Sequence, residues 1–320
     1  MLVILAHVGP PVPIMFLRCF DVPLLVLISG ILANDSLERI ALNKEKGYDS
    51  HSYLTYISKR FMRLVLPAWI MLVLFFACKA LAGTVYTPKY YLESFLLTRY
   101  GIGYVWIVLI FFYCALVAPF IKRFLHHRLF WLVMALVYCI YEVALHYHLG
   151  RENVIILNTV YYIIPYGLLT GLGMKYLSMT KQTKIIICVA GFILFVASGI
   201  FYYYSRGSIQ LPTINKYPPR IYFLSYSVAL SFLLLLLCEG KDNSFFRCRP
   251  VQFISSHSLW IYLWHIFYLM VSYKFSLIDN WVLRYGFVTA LSIATVWLQN
   301  FFFDKLETEF NWSVPKYLRG

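Results

Sequence analysis

The sequence predicts an all-α, polytopic membrane protein with about ten transmembrane helices, and three observations predict it. Of the 320 residues, 61% are hydrophobic and 13% charged, where an ordinary soluble domain carries roughly 25% charged residues. Apolar runs recur about every 25 to 30 residues along the whole chain, each near the ~20 residues a helix needs to cross the hydrocarbon core. The Lys and Arg residues fall in the short gaps between those runs, as in membrane loops, and form no stripe for nucleic acid. The net charge of +14 is therefore a matter of topology.

On this ruler the spans run over 1–17, 20–34, 61–82, 104–121, 129–145, 154–174, 184–204, 222–238, 257–273 and 281–302. The first is broken by Pro10, Pro11 and Pro13, and the second is short before Asn34 and Asp35. This brevity predicts that the first helix continues upstream, so that residues 1–320 form a single membrane domain whose first helix lacks its N-terminal half. Asp35 followed by Glu38 has the form of a capping box, predicting a short surface helix from there to Gly47. The gap "SRGSIQLPTINKYPPRIY" carries Gly207, Pro212, Pro218 and Pro219 and predicts an irregular outer connection ending in a rigid diproline.

Assigning the gaps alternately, with the first outside, places Arg39, Lys59, Arg60, Arg63, Lys122, Arg123, Lys175, Lys181 and Lys305 on one side with most of the basic residues. By the positive-inside rule that side is cytoplasmic, and so is the C-terminus. The seven cysteines are scattered through apolar runs without the paired spacing of a metal or redox site, so each reads as a small buried hydrophobe and no metal is expected.

Four polar features are out of place in such a chain. His7 stands in "MLVILAHVGPP" with only apolar residues before it. An ionisable ring inside a membrane is a functional candidate by default, although it could also bond a backbone carbonyl freed by the prolines. His265, in "SLWIYLWHIFY", sits about eight residues, or ~12 Å, from the inner end of its helix. There Trp260, Tyr262, Trp264 and Tyr268 could hold it by their polar tips as a structural residue. Arg60 and Arg63, in "KRFMRLVLPAW", share one helix face and suit phosphate oxygens, or serve only as positive-inside anchors. Asp21 opens the second helix, where a carboxylate favours the helix dipole or could orient His7, and Ser29–Gly30 lie further along it.

Four stretches, in order, resemble acyltransferase family 3, the integral membrane acyltransferases that O-acylate bacterial surface polysaccharides: "VILAHVG", "FDVPLLVLISGIL", "KRFMRLVLPAW" and "FISSHSLWIYLWHIF". "YVWIVLIFFY", which contains Trp106, and "KYPPRIYFLSY" resemble further family segments. The resemblance implies a cytoplasmic acetyl-CoA or other acyl-CoA donor and, as acceptor, a hydroxyl of a glycan or lipid-linked saccharide at the outer face of the bacterial cytoplasmic membrane. It implies that His7 is catalytic and that Arg60 and Arg63 help hold the CoA phosphates; Asp21 is a second catalytic candidate, and Ser29, Trp106 and His265 are candidates for supporting residues. Acyl transfer to a hydroxyl needs a base for its proton, and a neutral imidazole serves that purpose. A covalent acyl-imidazole is the alternative chemistry. Family members usually carry a basic residue about ten positions before the histidine; here only six residues precede His7, so an inactive truncated acyltransferase is one alternative reading. A transporter or flippase using His7 and His265 as proton relays is the other.

Overall fold

A computed structural model describes residues 1–45, 52–150, 152–240, 244–276, 278–310 and 314–319. Among the described residues every regular element is a helix. The first helices are α1 (Leu2–His7), α2 (Val12–Arg18), α3 (Asp21–Glu45), α4 (Ser52–Leu81) and α5 (Pro88–Phe95). They are followed by α6 (Trp106–Phe124), α7 (Phe130–His146), α8 (Val154–Asn158), α9 (Val160–Tyr176), α10 (Lys181–Arg206) and α11 (Ile221–Cys238). The chain closes with α12 (Ser244–Arg247), α13 (Arg249–Ser256), α14 (Ser258–Lys274), α15 (Trp281–Phe310) and α16 (Lys316–Arg319). Among the described residues seven helical stretches are long and apolar enough to cross a bilayer, with α2 and α3 counted together and likewise α8 and α9, and α7 is a shorter apolar helix. The chain is a multi-pass, all-α membrane protein.

Two compact units make up the chain: Met1–Met15 with Lys59–Leu109 and Lys241–Gly320, and Phe16–Ser58 with Ile110–Gly240. In the second unit the helices close on one another through residues without side chains. A Cβ on Gly30 would stand 2.4 Å from the carbonyl oxygen of Thr170, and one on Gly173 would stand 2.1 Å from that of Leu27. The backbones of α3 and α9 therefore touch, as small residues allow where lipid supplies no hydrophobic drive between helices. Gly191 of α10 meets α11 in the same way, 3.1 Å from the Ser225 carbonyl oxygen and 3.2 Å from Ala229.

One predicted boundary is corrected here. Asp35 does not open a new helix, because α3 runs unbroken from Asp21 to Glu45. The Asp35 carboxylate pairs with Arg39 one turn on, at 3.0 Å, so it is not used as a cap. Asn34 and Glu38, also one turn apart, both accept from the Lys122 ammonium of α6, at 2.5 and 2.7 Å, which fastens the extended helix. The predicted stop at Gly47 lies outside the described residues. Four helices had no counterpart in the sequence reading: α5, where Thr87 caps the first turn ahead of Pro88, and the short α12, α13 and α16.

The connection between α10 and α11 is irregular as predicted, holding one 3-10 turn at Pro212–Asn215 and a cis Tyr217–Pro218 bond. Its end is fixed by Glu142 of α7, whose carboxylate accepts from the Tyr138 hydroxyl at 2.6 Å, the Ile221 amide at 2.7 Å and Arg220 Nε at 3.4 Å. At the opposite end of the same unit, Lys184 of α10 is buried against Glu239, just past the end of α11. The hydrogen bond from Lys184 holds the Glu239 carboxyl below the usual carboxylate range. A depressed pKa contributes stability above the unfolded carboxylate range that is lost as pH falls through the folded value. Acidification below about pH 4.3 is therefore expected to lower the unfolding temperature of the wild-type chain more steeply than that of Glu239→Gln, as thermal unfolding across a pH series would measure.

Candidate active site

Helix α1 ends at His7 because the chain next meets Gly9, at φ +75°, and then Pro10 and Pro11. Pro10 and Pro11 lack an N–H, so carbonyls at the end of α1 lose their intrahelical donors. Two side chains of the first unit replace them. Tyr273 donates its hydroxyl to the His7 carbonyl at 3.0 Å, and Arg284 Nη1 donates to the Val8 carbonyl at 3.3 Å. The guanidinium of Arg284 lies 4.4 Å over the Tyr273 ring, joining the two donors, and its Nη2 is held by the Ile278 carbonyl. The His7 and Val8 carbonyls at the end of α1 are thus each served by a side-chain donor.

The imidazole itself is half-buried between two rings. Tyr104 meets it edge to face with centroids 4.7 Å apart, and His265 stacks against it at 5.5 Å with planes 23° apart. Tyr104 is placed by a tight approach: a Cβ on Gly101 would stand 2.3 Å from Ser94 Oγ, which accepts from the Ile102 amide at 2.9 Å. The Tyr262 hydroxyl then donates to the Tyr104 carbonyl, fixing that segment to α14.

His265 is fully buried. Its Nδ1 bonds the Tyr262 carbonyl one turn back; a carbonyl only accepts, so Nδ1 carries a hydrogen. Nε2 has no hydrogen-bond partner. The Tyr262 ring packs against His265 with centroids 4.7 Å apart, and the polar tips of Trp264, Trp260 and Tyr268 bond other groups. Trp264 donates to Gln299 at 2.9 Å, Trp260 to the Tyr317 carbonyl at 3.0 Å, and the Tyr268 hydroxyl bonds Thr295 at 2.5 Å.

The remaining predicted residues fall as follows. Arg60 and Arg63 stand three residues apart on α4, Arg60 half-buried and Arg63 exposed, and Pro67 of the same helix cannot donate to the Arg63 carbonyl. Trp106 begins α6 and is buried directly after the 3-10 turn that carries Tyr104. In the other unit Ser29 is half-buried, and its neighbour Gly30 makes the helix crossing described above. Asp21 accepts from Arg18 Nη2 at 3.0 Å, with both residues buried, so one oxygen of its carboxylate is committed to the turn between α2 and α3. No three His, Cys, Asp or Glu side chains among the described residues are grouped to hold a metal ion.

Sequence reasoning missed Tyr104, Tyr273 and Arg284. The proline break was the available signal for the last two, since freed carbonyls require donors from elsewhere in the fold. Replacing Tyr273 by Phe is expected to cost about 1 kcal/mol of stability and to slow turnover several-fold by loosening the end of α1, read by thermal unfolding and by steady-state rates on the same preparation.

Residues 1–299 match the model of acyltransferase family 3, described as an acyltransferase domain. No curated protein and no solved structure matches the chain.

Proposed function

We propose, for a chain that belongs to the acyltransferase family, that it moves a short acyl group, most simply acetyl, from cytoplasmic acyl-CoA to a hydroxyl of a cell-surface or exported glycan. The reading rests chiefly on one observation: a histidine, His7, held with its ring between Tyr104 and His265 on a backbone clamped by Tyr273 and Arg284. In it the His7 imidazole takes the proton of the acceptor hydroxyl as that oxygen attacks the thioester carbonyl, and the CoA thiolate leaves. A held ring has already lost the rotational freedom that a productive geometry would otherwise cost.

Arg60 and Arg63 provide two planar guanidinium groups one helical turn apart for the CoA phosphates. A recess lined by Met71, Phe75, Ile102, Val105, Ile266 and Phe267, next in sequence to the Tyr104 and His265 positions, has about 10 Å³ of free space. That is room for about one water-sized group. The positive-inside bias orients α4 with both arginines toward the cytoplasm, on the donor side.

The test is acetyl-CoA turnover by the detergent-extracted chain, with Arg60→Ala/Arg63→Ala beside the wild type. The double variant is expected to raise the KM for acetyl-CoA by ten- to a hundredfold with a smaller change in kcat. Failure of the wild-type chain to bind or hydrolyse any short-chain acyl-CoA would sink the proposal.

A further inference from the structure

Helix α14, which carries His265, is held on one side by a row of polar tips four residues apart. Trp260 donates to the Tyr317 carbonyl at 3.0 Å, Trp264 to Gln299 Oε1 at 2.9 Å, and the Tyr268 hydroxyl bonds Thr295 at 2.5 Å. A spacing of four keeps all three on one face of the helix. His265 follows Trp264 in the chain, so its ring leaves α14 about 100° round from that side chain.

Gln299 of α15 stands at the middle of this row and faces two ways. Its Oε1 accepts from Trp264, and its Nε2 donates to the Leu318 carbonyl at 2.6 Å. Helix α16 has only four residues, and the last four carbonyls of any helix lack intrahelical donors. Three of them are met by side chains: that of Tyr317 by Trp260, that of Leu318 by Gln299, and that of Arg319 by Asn300 at 3.4 Å. Further ties close the segment onto α15. Arg319 reaches Asp304 at 2.6 Å and Glu307 at 2.9 Å, and Glu307 also accepts from the Val314 amide at 3.0 Å. Residues 314–319 therefore form a strap, and Gln299 bonds the strap and α14 at once. The strap lies past the residues that match the family, so membership assigns it no role.

The His265 ring turns with its helix, because Nδ1 is bonded to the Tyr262 carbonyl of α14 itself. A helix with its side chains has a radius of about 5–6 Å, so a turn of about 10° about the axis moves the ring by ~1 Å. A displacement of that size can cost about a hundredfold where it disturbs a catalytic geometry. What His265 touches is the His7 imidazole, stacked at 5.5 Å with planes 23° apart. On the far side of α14 from Trp264, the Tyr262 hydroxyl ties the helix to the Tyr104 carbonyl. The angle of α14 is thus set from two opposed sides, and Gln299 holds one of them.

We infer that Gln299 is a positioning residue: by joining the strap to Trp264 it sets the rotation of α14, and so the stacking of His265 on His7. The effect on rate rests on the acyl transfer proposed above. The effect on the ring rests on geometry alone.

The experiment follows the histidine Cε1–Hε1 NMR signals of the full, histidine-labelled chain in detergent, comparing wild type with Gln299→Met and His265→Leu. Methionine keeps the length of glutamine and loses both hydrogen bonds. The expected result is that the His7 signal in Gln299→Met leaves its wild-type position toward that in His265→Leu, while His126 and His146 of the other unit stay in place. With acetyl-CoA, kcat falls about tenfold and KM stays within about twofold, because Arg60 and Arg63 are untouched. A His7 signal unmoved in folded Gln299→Met overturns the inference. So does movement of His126 and His146 along with it, which reports general loosening, and so does a moved His7 signal with kcat unchanged. If Gln299→Met does not fold, Trp264→Phe, which keeps a ring and loses the indole N–H, decides on the same signal. Wild-type turnover keeps the readings apart: a responsive His7 signal without acyl-CoA turnover supports the tie and removes the acyl-transfer reading, and turnover with an unmoved signal removes the tie alone.

Discussion

A His7→Ala chain is expected to fold and to lose acyl-CoA turnover by a factor of about 10² to 10⁴, the range that a positioned general base contributes. The two halves of that expectation come from different parts of the structure. The imidazole is only half-buried and meets its neighbours as rings, edge to face with Tyr104 and stacked on His265, so its removal opens a shallow gap at the end of a six-residue helix. The clamp from Tyr273 and Arg284 is made to backbone carbonyls, and alanine leaves both bonds intact. An unchanged unfolding temperature with turnover reduced in proportion would assign the loss to chemistry. Turnover within a few-fold of wild type would remove His7 from the mechanism.

The second large effect is on folding. Gly173→Val is expected to prevent accumulation of folded protein, because its Cβ would stand 2.1 Å from the Leu27 carbonyl oxygen and 3.2 Å from the Gly30 Cα. Neither neighbour is the end of a flexible side chain, so α3 and α9 would have to separate along their whole contact. The cost then exceeds the roughly 1–3 kcal/mol of ordinary overpacking, in which side chains absorb the change. Detergent-resistant, monodisperse protein recovered from membranes at the wild-type level would contradict this. Gly191→Val is expected to be milder, since the atoms around it lie 3.1 to 3.2 Å away.

What was legible in the sequence was whatever depends on one helix at a time. Hydropathy alone identified the apolar helices to within a few residues for α7, α10, α11 and α14. The break after His7 followed from Gly9, Pro10 and Pro11. The extension of α3 past Asn34 was not legible, because it depends on Lys122, 88 positions away from Asn34. Read locally, Asp35 and Glu38 fit a cap; in three dimensions they are two partners on one continuous helix. The Ser29–Gly30 step looked like part of a chemical motif, yet its glycine is required by the crossing with α9. At the site, His7 and His265 could each be singled out as misplaced ionisable rings. Their stacking could not, since it joins residues more than 250 positions apart through elements with no shared sequence signal. In the sequence Arg18 is one basic residue in a short gap between apolar runs, and its burial with Asp21 depends on the fold.

The bond from His265 to the carbonyl of Tyr262 has a consequence for the movement of protons. An imidazole passes a proton onward only by receiving it at one nitrogen and releasing it at the other, after which the ring must return to its starting tautomer. In His265 the Nδ1 hydrogen is committed to a carbonyl one turn back on the same helix, an oxygen that cannot hand on a proton. Held in this way, the ring is not placed to pass a proton on through Nδ1. Vesicles containing the chain should accordingly show no proton flux under a pH gradient, which would separate an enzyme that moves protons locally at His7 from a carrier that moves them through the membrane.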